Sequence, residues 1–403
     1  MIRKNRLIKL TQDLIRINSE NPPGDERALA RFVARFLKNI GLRPKTYSFA
    51  ARRDNVLAVW SAQKADAQGA GLPRQGAGLP RQGAGLPRQG AGKPEPLLIT
   101  PHLDTVPAGR GWKFSPWGGA LRKDKIYGRG ATDCKCNVAI SLEALRSLKE
   151  DGFRPRHDVM FLATADEETG SVQGLIPFLE KDIIRPAYAL VLDADAFDIV
   201  VAQKGLIHFK VTVDGRRAHG ATPEKGVNAI ERACELIKVL KATRFVTQKH
   251  RFLKPPTINI GTIQGGDKVN MVADQCAFEA DLRFLPGMKA FEILTRLRRR
   301  FDATRFSYRI EINDIQQPYE LDTDHAMVRS LKKAGQSFGG HPAIKGSEGA
   351  TVITFFKKKR IPAIATGCGV RGMAHATDEY VRVRDLVRGA RVLEKFITLF
   401  DAR

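Results

Sequence analysis

At 403 residues, 43% hydrophobic and 27% charged, the chain has the composition of a folded protein long enough for two cores. Its 67 basic and 43 acidic residues leave a formal net charge of +24, which admits an anionic partner or substrate. The excess is spread over both halves, and the densest runs, Arg298-Arg299-Arg300 and Lys357-Lys358-Lys359-Arg360, carry no interleaved aromatics, so nucleic acid is not the expected partner.

No apolar run approaches the roughly 20 residues that span a bilayer. The first ten residues are basic and lack a signal-type apolar core, so a cytoplasmic protein is the expectation. The five scattered cysteines fit reduced thiols better than a disulfide framework.

In chain order, Lys4 to Ile17 predicts a helix with Leu7, Leu10, Leu14 and Ile17 on one face. The Asn21-Pro22-Pro23-Gly24 turn ends it, and a second helix runs from Ala28 to Ile40. Asn55 to Trp60 reads as a strand. The heptad Gly-Ala-Gly-Leu-Pro-Arg-Gln then occurs three times within residues 66–92, and its Gly and Pro predict a disordered loop.

From Leu97 to about Ala202 apolar runs alternate with the helices Asn137 to Asp151 and Val172 to Lys181, the rhythm of βαβ units on a mostly parallel sheet. Residues 204–317 change to four strands and two helices, an α+β pattern. After Gln317 the α/β pattern returns with helix 325–338, strand 361–366 and a last helix from Val383 to Phe400. The fold class is therefore α/β, with a discontinuous domain of residues 1–203 and 318–403 and an inserted domain of 204–317.

Chemistry-bearing residues follow the apolar runs. His102 and Asp104 lie two apart after Leu97-Leu98-Ile99-Thr100-Pro101, and in extended backbone they share a face. Asp104 is thus placed to accept from the second ring nitrogen of a ligand histidine. Asp133 closes a Gly-rich turn before a helix, where it reads as a bridging carboxylate or as an N-cap. Glu167 and Glu168 are adjacent acids after a buried strand, which repel unless a cation lies between them. One then suits a metal and the other a general base. Asp193 and Asp195 both follow strand 188–192, and His375 lies on the loop before the last helix. All occupy strand carboxyl ends or nearby loops, where open α/β sheets place their sites. Imidazoles and carboxylates in this mixture suit two divalent ions, zinc first, with cobalt or manganese as alternatives.

Together these motifs resemble the M20 family of metallopeptidases and amidohydrolases, which includes acetylornithine deacetylase, succinyl-diaminopimelate desuccinylase, aminoacylase and glutamate carboxypeptidase. The likeness runs from about Ile17 to Leu386 and is carried by Asn18-Ser19-Glu20-Asn21-Pro22-Pro23-Gly24, His102-Leu103-Asp104-Thr105-Val106-Pro107, Gly128-Arg129-Gly130-Ala131-Thr132-Asp133 and Thr164-Ala165-Asp166-Glu167-Glu168-Thr169-Gly170-Ser171. It implies that His102 and Asp193 hold one ion, Glu168 and His375 the other, and that Asp133 bridges them. Glu167 would be the general base, and Asp104 would orient His102.

The inserted domain resembles the family's lid and dimerisation domain. Gly215-Arg216-Arg217-Ala218-His219-Gly220 matches the segment whose histidine serves a neighbouring subunit's oxyanion, implying a homodimer with His219 in that role. Asn270 and Arg283 fall in segments that resemble substrate-contacting lid motifs; an ion pair of Arg283 with Asp281 is the alternative.

Three departures stand out. Cys134-Lys135-Cys136 replaces the family's Met-Lys-Gly, Asp193 stands for a glutamate, and Ser347-Glu348-Gly349 replaces Ser-Asp or Thr-Asp. The expected function is two-metal hydrolysis of the amide bond of an N-acyl amino acid. A dipeptidase or carboxypeptidase of the same family is the alternative, and a non-catalytic metal- or polyanion-binding protein a more distant one.

Overall fold

The computed structural model describes residues 1–62, 95–193, 196–245, 248–349 and 352–402. The heptad repeat, expected as a disordered loop, lies outside the described residues, and so does Asp195. Two compact units are present. The first comprises Met1–Phe197, Arg329–Pro342 and Thr366–Arg403; the second comprises Asp198–Val328 and Ala343–Ala365.

In the first unit the strands run in the order Lys45–Ser48, Asp54–Trp60, Val159–Ala163, Leu97–Pro101, Tyr188–Leu192. The last three are mutually parallel, and the first two pair antiparallel. Leu97–Pro101 is buried throughout, Thr100 included, as a mostly apolar central parallel strand is. His102 leaves its carboxyl end, and Glu167 and Asp193 follow the strands on either side. Neighbouring parallel strands therefore deliver the acidic and imidazole side chains to one rim.

The helix Lys135–Glu150 is buried along most of its length and packs on the helices Val383–Asp401 and Lys4–Ile15. Its buried Glu143 is satisfied by Arg6, whose Nη2 lies 2.7 Å away and whose Nε donates to both carboxylate oxygens. A buried carboxylate persists when a fork-shaped donor of this kind compensates its lost hydration. The helix expected from Val172 begins only at Leu175. At Gly174 the backbone passes so close to Ala165 that an added Cβ would lie 2.0 Å from its carbonyl oxygen, a crossing that local helical spacing does not reveal.

The second unit carries an antiparallel sheet in the order Thr257–Gly265, Gln275–Phe284, Gly205–Asp214, Tyr308–Gln316. Helices Ala229–Lys241 and Ala290–Asp302 cover one face, burying Phe209, Phe278, Leu236, Leu297 and Phe301 in a common core. Each such side chain contributes about 1.5–3 kcal/mol on leaving water. Asn228 caps the first helix, its Oδ1 accepting from Ile230 N at 3.0 Å. Among the described residues no helix is long and apolar enough to cross a membrane.

Candidate active site

Three loops of the first unit meet around Asp133. Gly128-Arg129-Gly130 is the turn that brings it in, and Gly130 has φ +83° with an added Cβ only 2.9 Å from Lys135 and Thr105 side-chain atoms, a position closed to other residues. The short strands Lys125–Tyr127 and Tyr380–Arg382 pair antiparallel, which brings the His375 loop beside this turn. His375 itself has φ +62°, a left-handed conformation uncommon for non-glycine residues.

The two oxygens of Asp133 face two different imidazoles. Oδ1 is 3.0 Å from His102 Nε2, and Oδ2 is 3.4 Å from His375 Nε2. His375 Nε2 also lies 3.2 Å from Glu168 Oε2. Burial opposes ionisation of Asp133, but hydrogen bonds and charge from His102 and His375 hold its carboxyl well below the usual range. His375 is pushed up to about 10, chiefly by its hydrogen bonds to Asp133 and Glu168.

Behind this cluster Asp104 acts as an anchor. His102 Nδ1 lies 2.9 Å from the Asp104 carbonyl oxygen and 3.5 Å from its Oδ1. The Asp104 carboxylate accepts from the main-chain N–H groups of Glu167 and Glu168, each at 3.0 Å, and from Asn21 Nδ2 at 2.9 Å. It therefore ties the histidine strand to the two-glutamate turn. Burial opposes its charge, yet the hydrogen bond and charge of His102, with the Asn21 amide, lower its pKa. The turn itself starts from Asp166 at φ +65°, which Arg53 Nη2 holds at 2.9 Å and Gln173 N at 2.8 Å. Glu167 is pushed well above the ordinary glutamate range, first by burial and then by the charges of Asp193, Glu168 and Asp104, with His102 opposing.

Asp193 follows its strand on the same rim. Its N–H donates to Thr366 O at 2.8 Å, and its carbonyl accepts from Asn137 Nδ2 at 2.9 Å. Among the described residues, the groups of ligand atoms lying within 4.8 Å of one another are His102, Asp133 and Cys134, and Asp133, Glu168 and His375. Asp193 belongs to neither group.

The remaining candidates are in the second unit. His219 is exposed, and its Nδ1 accepts from Ala221 N at 3.0 Å. Asn270 is exposed beside it, its carbonyl accepting from Gly220 N at 2.8 Å. Arg283 donates from Nε and Nη2 to the two oxygens of Asp281, at 2.7 and 2.8 Å. That pair is the alternative the sequence offered.

The residues present fit divalent ions. Asp133 presents one oxygen to each imidazole. Glu168 is only 7% exposed in its side chain, yet its Oε1 has no hydrogen-bond partner among the described residues. A buried carboxylate oxygen without a donor is costly unless a cation meets it.

Arg129 and Glu379 have no role in the sequence reading, yet they shape the site. Glu379 accepts from Gly130 N, Thr132 N and Asp133 N, at 3.0, 2.6 and 2.9 Å, and so shapes the turn that presents Asp133. An acid four residues after the loop histidine was the only available signal.

Comparison with known proteins decides the family. The model of the peptidase family M20/M25/M40 matches residues 98–399. The chain belongs to the M20 peptidase family. It is similar to an acetylornithine deacetylase from Proteus mirabilis, 32% identical across 71% of this chain and 74% of that one. Another acetylornithine deacetylase, from Photorhabdus laumondii, is 30% identical over 75% of this chain and 80% of its own. Among solved structures, aminopeptidase PepT from Bacillus cereus shares the fold with a TM-score of 0.76, each chain wholly covered, at 22% identity. As an M20 member the protein is a metal-dependent hydrolase of amide or peptide bonds.

Proposed function

We propose that this M20 enzyme removes the acyl group from an N-acyl amino acid, cleaving the amide bond by attack of water. The observation that carries the chemistry is Asp133 facing His102 and His375 with its separate oxygens, with Glu168 grouped with Asp133 and His375 and Glu167 anchored beside Glu168 by Asp104. The acyl amino acid reading is supported by the likeness to acetylornithine deacetylases at 30–32% identity. A peptide substrate is the second reading, favoured by the fold shared with an aminopeptidase.

In this reading His102 and Asp193 would hold one divalent ion and Glu168 and His375 the other, with Asp133 serving both, and zinc would best suit these donors. The ions would supply Lewis acidity toward the carbonyl and toward water. Glu167 accepts the proton of the attacking water and returns it to the leaving amine. Its raised pKa suits a group that must hold that proton between the two events. Asp104 fixes Glu167 through the main-chain N–H, so the base does not depend on its own side chain for placement.

His219 is proposed as the oxyanion donor. With Nδ1 accepting from Ala221, the Nε2 position carries the proton in the neutral ring and is free in role to donate. Asn270 and Arg283 are proposed as substrate contacts, a substrate carboxylate competing with Asp281 for the Arg283 fork. We read residues 204–317 as the lid and the protein as a homodimer. The edge strand Thr257–Gly265 with exposed Ile263, and exposed Val269 nearby, support that reading. The five free thiols support a reducing, cytoplasmic setting.

The test is amine release from N-acetyl, N-succinyl and other N-acyl amino acids, with di- and tripeptides alongside, using chain stripped of metal and refilled with zinc or cobalt. Metal-dependent cleavage of acyl amino acids in preference to peptides is expected. Preference for peptides with a free amino terminus would overturn the deacylase reading in favour of the second.

A further inference from the structure

The Cys134-Lys135-Cys136 segment is the departure in this chain that the reaction above leaves unused. Cys134 lies between the Asp133 turn and the helix Lys135–Glu150, and it is completely buried. Its sulfur belongs, with His102 and Asp133, to a group of ligand atoms that all lie within 4.8 Å of one another. Its Sγ donates to Leu192 O at 3.1 Å, at the end of the strand that leads into Asp193. Asn137 fixes the surroundings. Its Nδ2 is 3.6 Å from the sulfur and 2.9 Å from Asp193 O, while its Oδ1 accepts from Cys368 N at 3.0 Å. Cys136 instead turns its thiol to Thr132 O, so only one cysteine of the pair faces the imidazole.

We propose that the Cys134 thiolate is a ligand of the divalent ion held by His102 and Asp133, giving that position a sulfur donor. This rests on the reading that the rim holds divalent ions. On coordination the S–H bond breaks, the proton passes to solvent, and a sulfur lone pair bonds the ion; nothing is oxidised or reduced. A carboxylate, an imidazole and a thiolate form a set well suited to zinc, and sulfur disfavours manganese. The Glu168 and His375 position has only nitrogen and oxygen donors, so the two positions differ in softness. The predicted outcome is a chain that selects zinc more strongly at one position than at the other.

The test uses the 403-residue chain with the exposed Cys234 changed to serine, stripped of metal and refilled with cobalt(II). Thiolate-to-cobalt charge-transfer absorption in the near ultraviolet is expected. It should vanish in Cys134→Ser while cobalt content, measured by elemental analysis, is retained, and it should persist in Cys136→Ser and Cys368→Ser. Competition between zinc and manganese should shift toward manganese in Cys134→Ser by about tenfold or more, given that even outer-shell changes cost that much. Should serine at this buried place prevent folding, Cys134→Met keeps an apolar side chain without a thiolate, and folding is verified by circular dichroism. Bound cobalt without the absorption, or absorption that survives loss of Cys134, overturns the sulfur ligand alone. No cobalt bound at all overturns the ion-binding reading with it.

Discussion

Arg129 and Glu379 form an ion pair of 2.7 Å with both side chains almost wholly buried, 3% and 0% exposed. The pair joins three segments that carry the cluster. Arg129 donates to the carbonyls of Pro107, Ala108, His375 and Ala376, and Glu379 takes the N–H groups leading to Asp133. Truncating one partner leaves the other charge buried alone. Glu379→Ala should therefore cost about 3–5 kcal/mol in denaturant unfolding, and Glu379→Gln, which keeps acceptor oxygen, distinctly less. Equal losses in the two variants would show that charge, not the acceptor set, organises the turn.

Glu167→Gln should leave metal content unchanged and lower turnover by about 10²–10⁴-fold, the range for loss of a positioned acid–base group. Elemental analysis and steady-state kinetics on the same preparation check this. Full turnover in that variant would remove Glu167 from the reaction.

In the metal-free protein His375 is held up to about 10 by Asp133 and Glu168. A ligand imidazole must be neutral, so metal uptake below that pH expels a proton, and apparent affinity weakens as pH falls. Calorimetric zinc titrations in buffers of different ionisation enthalpy should report proton release, smaller in His375→Gln. The same raised pKa stabilises the metal-free fold fully below the unfolded value near 6.5, and this contribution is lost as pH rises through about 10. Metal-free unfolding midpoints measured across that window check the sign.

Glu26 is pushed up to about 7, first by burial and then by the charge of Asp104, with Arg53 opposing. Its Oε1 has no partner among the described residues, which fits a carboxyl that holds its proton. The folded state then binds more protons than the unfolded one between about 4.5 and 7. Its stabilising share is complete below 4.5 and disappears as pH rises through 7, on the order of 3 kcal/mol by pKa difference. Glu26→Gln should flatten the fall in stability over that window, read by denaturant titrations at several pH values. An unchanged slope would mean that Glu26 ionises normally.

The sequence by itself determined the α/β class with its four-stranded, two-helix portion, because apolar spacing is a local property of the backbone. Leu7, Leu10 and Leu14 recur at helical period and are buried, and the mostly apolar run Leu97–Pro101 became a central strand. Residue chemistry also nominated the donors, since few side-chain types bind metal or move protons. Tertiary structure alone decided what each buried polar atom meets. Asp104, expected to orient His102 with its carboxylate, gives the ring nitrogen a shorter contact through its carbonyl and spends the carboxylate on Glu167 and Glu168. Cys134 has its sulfur within 4.8 Å of ligand atoms of both His102 and Asp133. Glu379 reaches the Asp133 turn from 246 residues away. Such partners are set by where distant segments cross, and burial then forces every donor and acceptor there to find a mate, which no local pattern encodes.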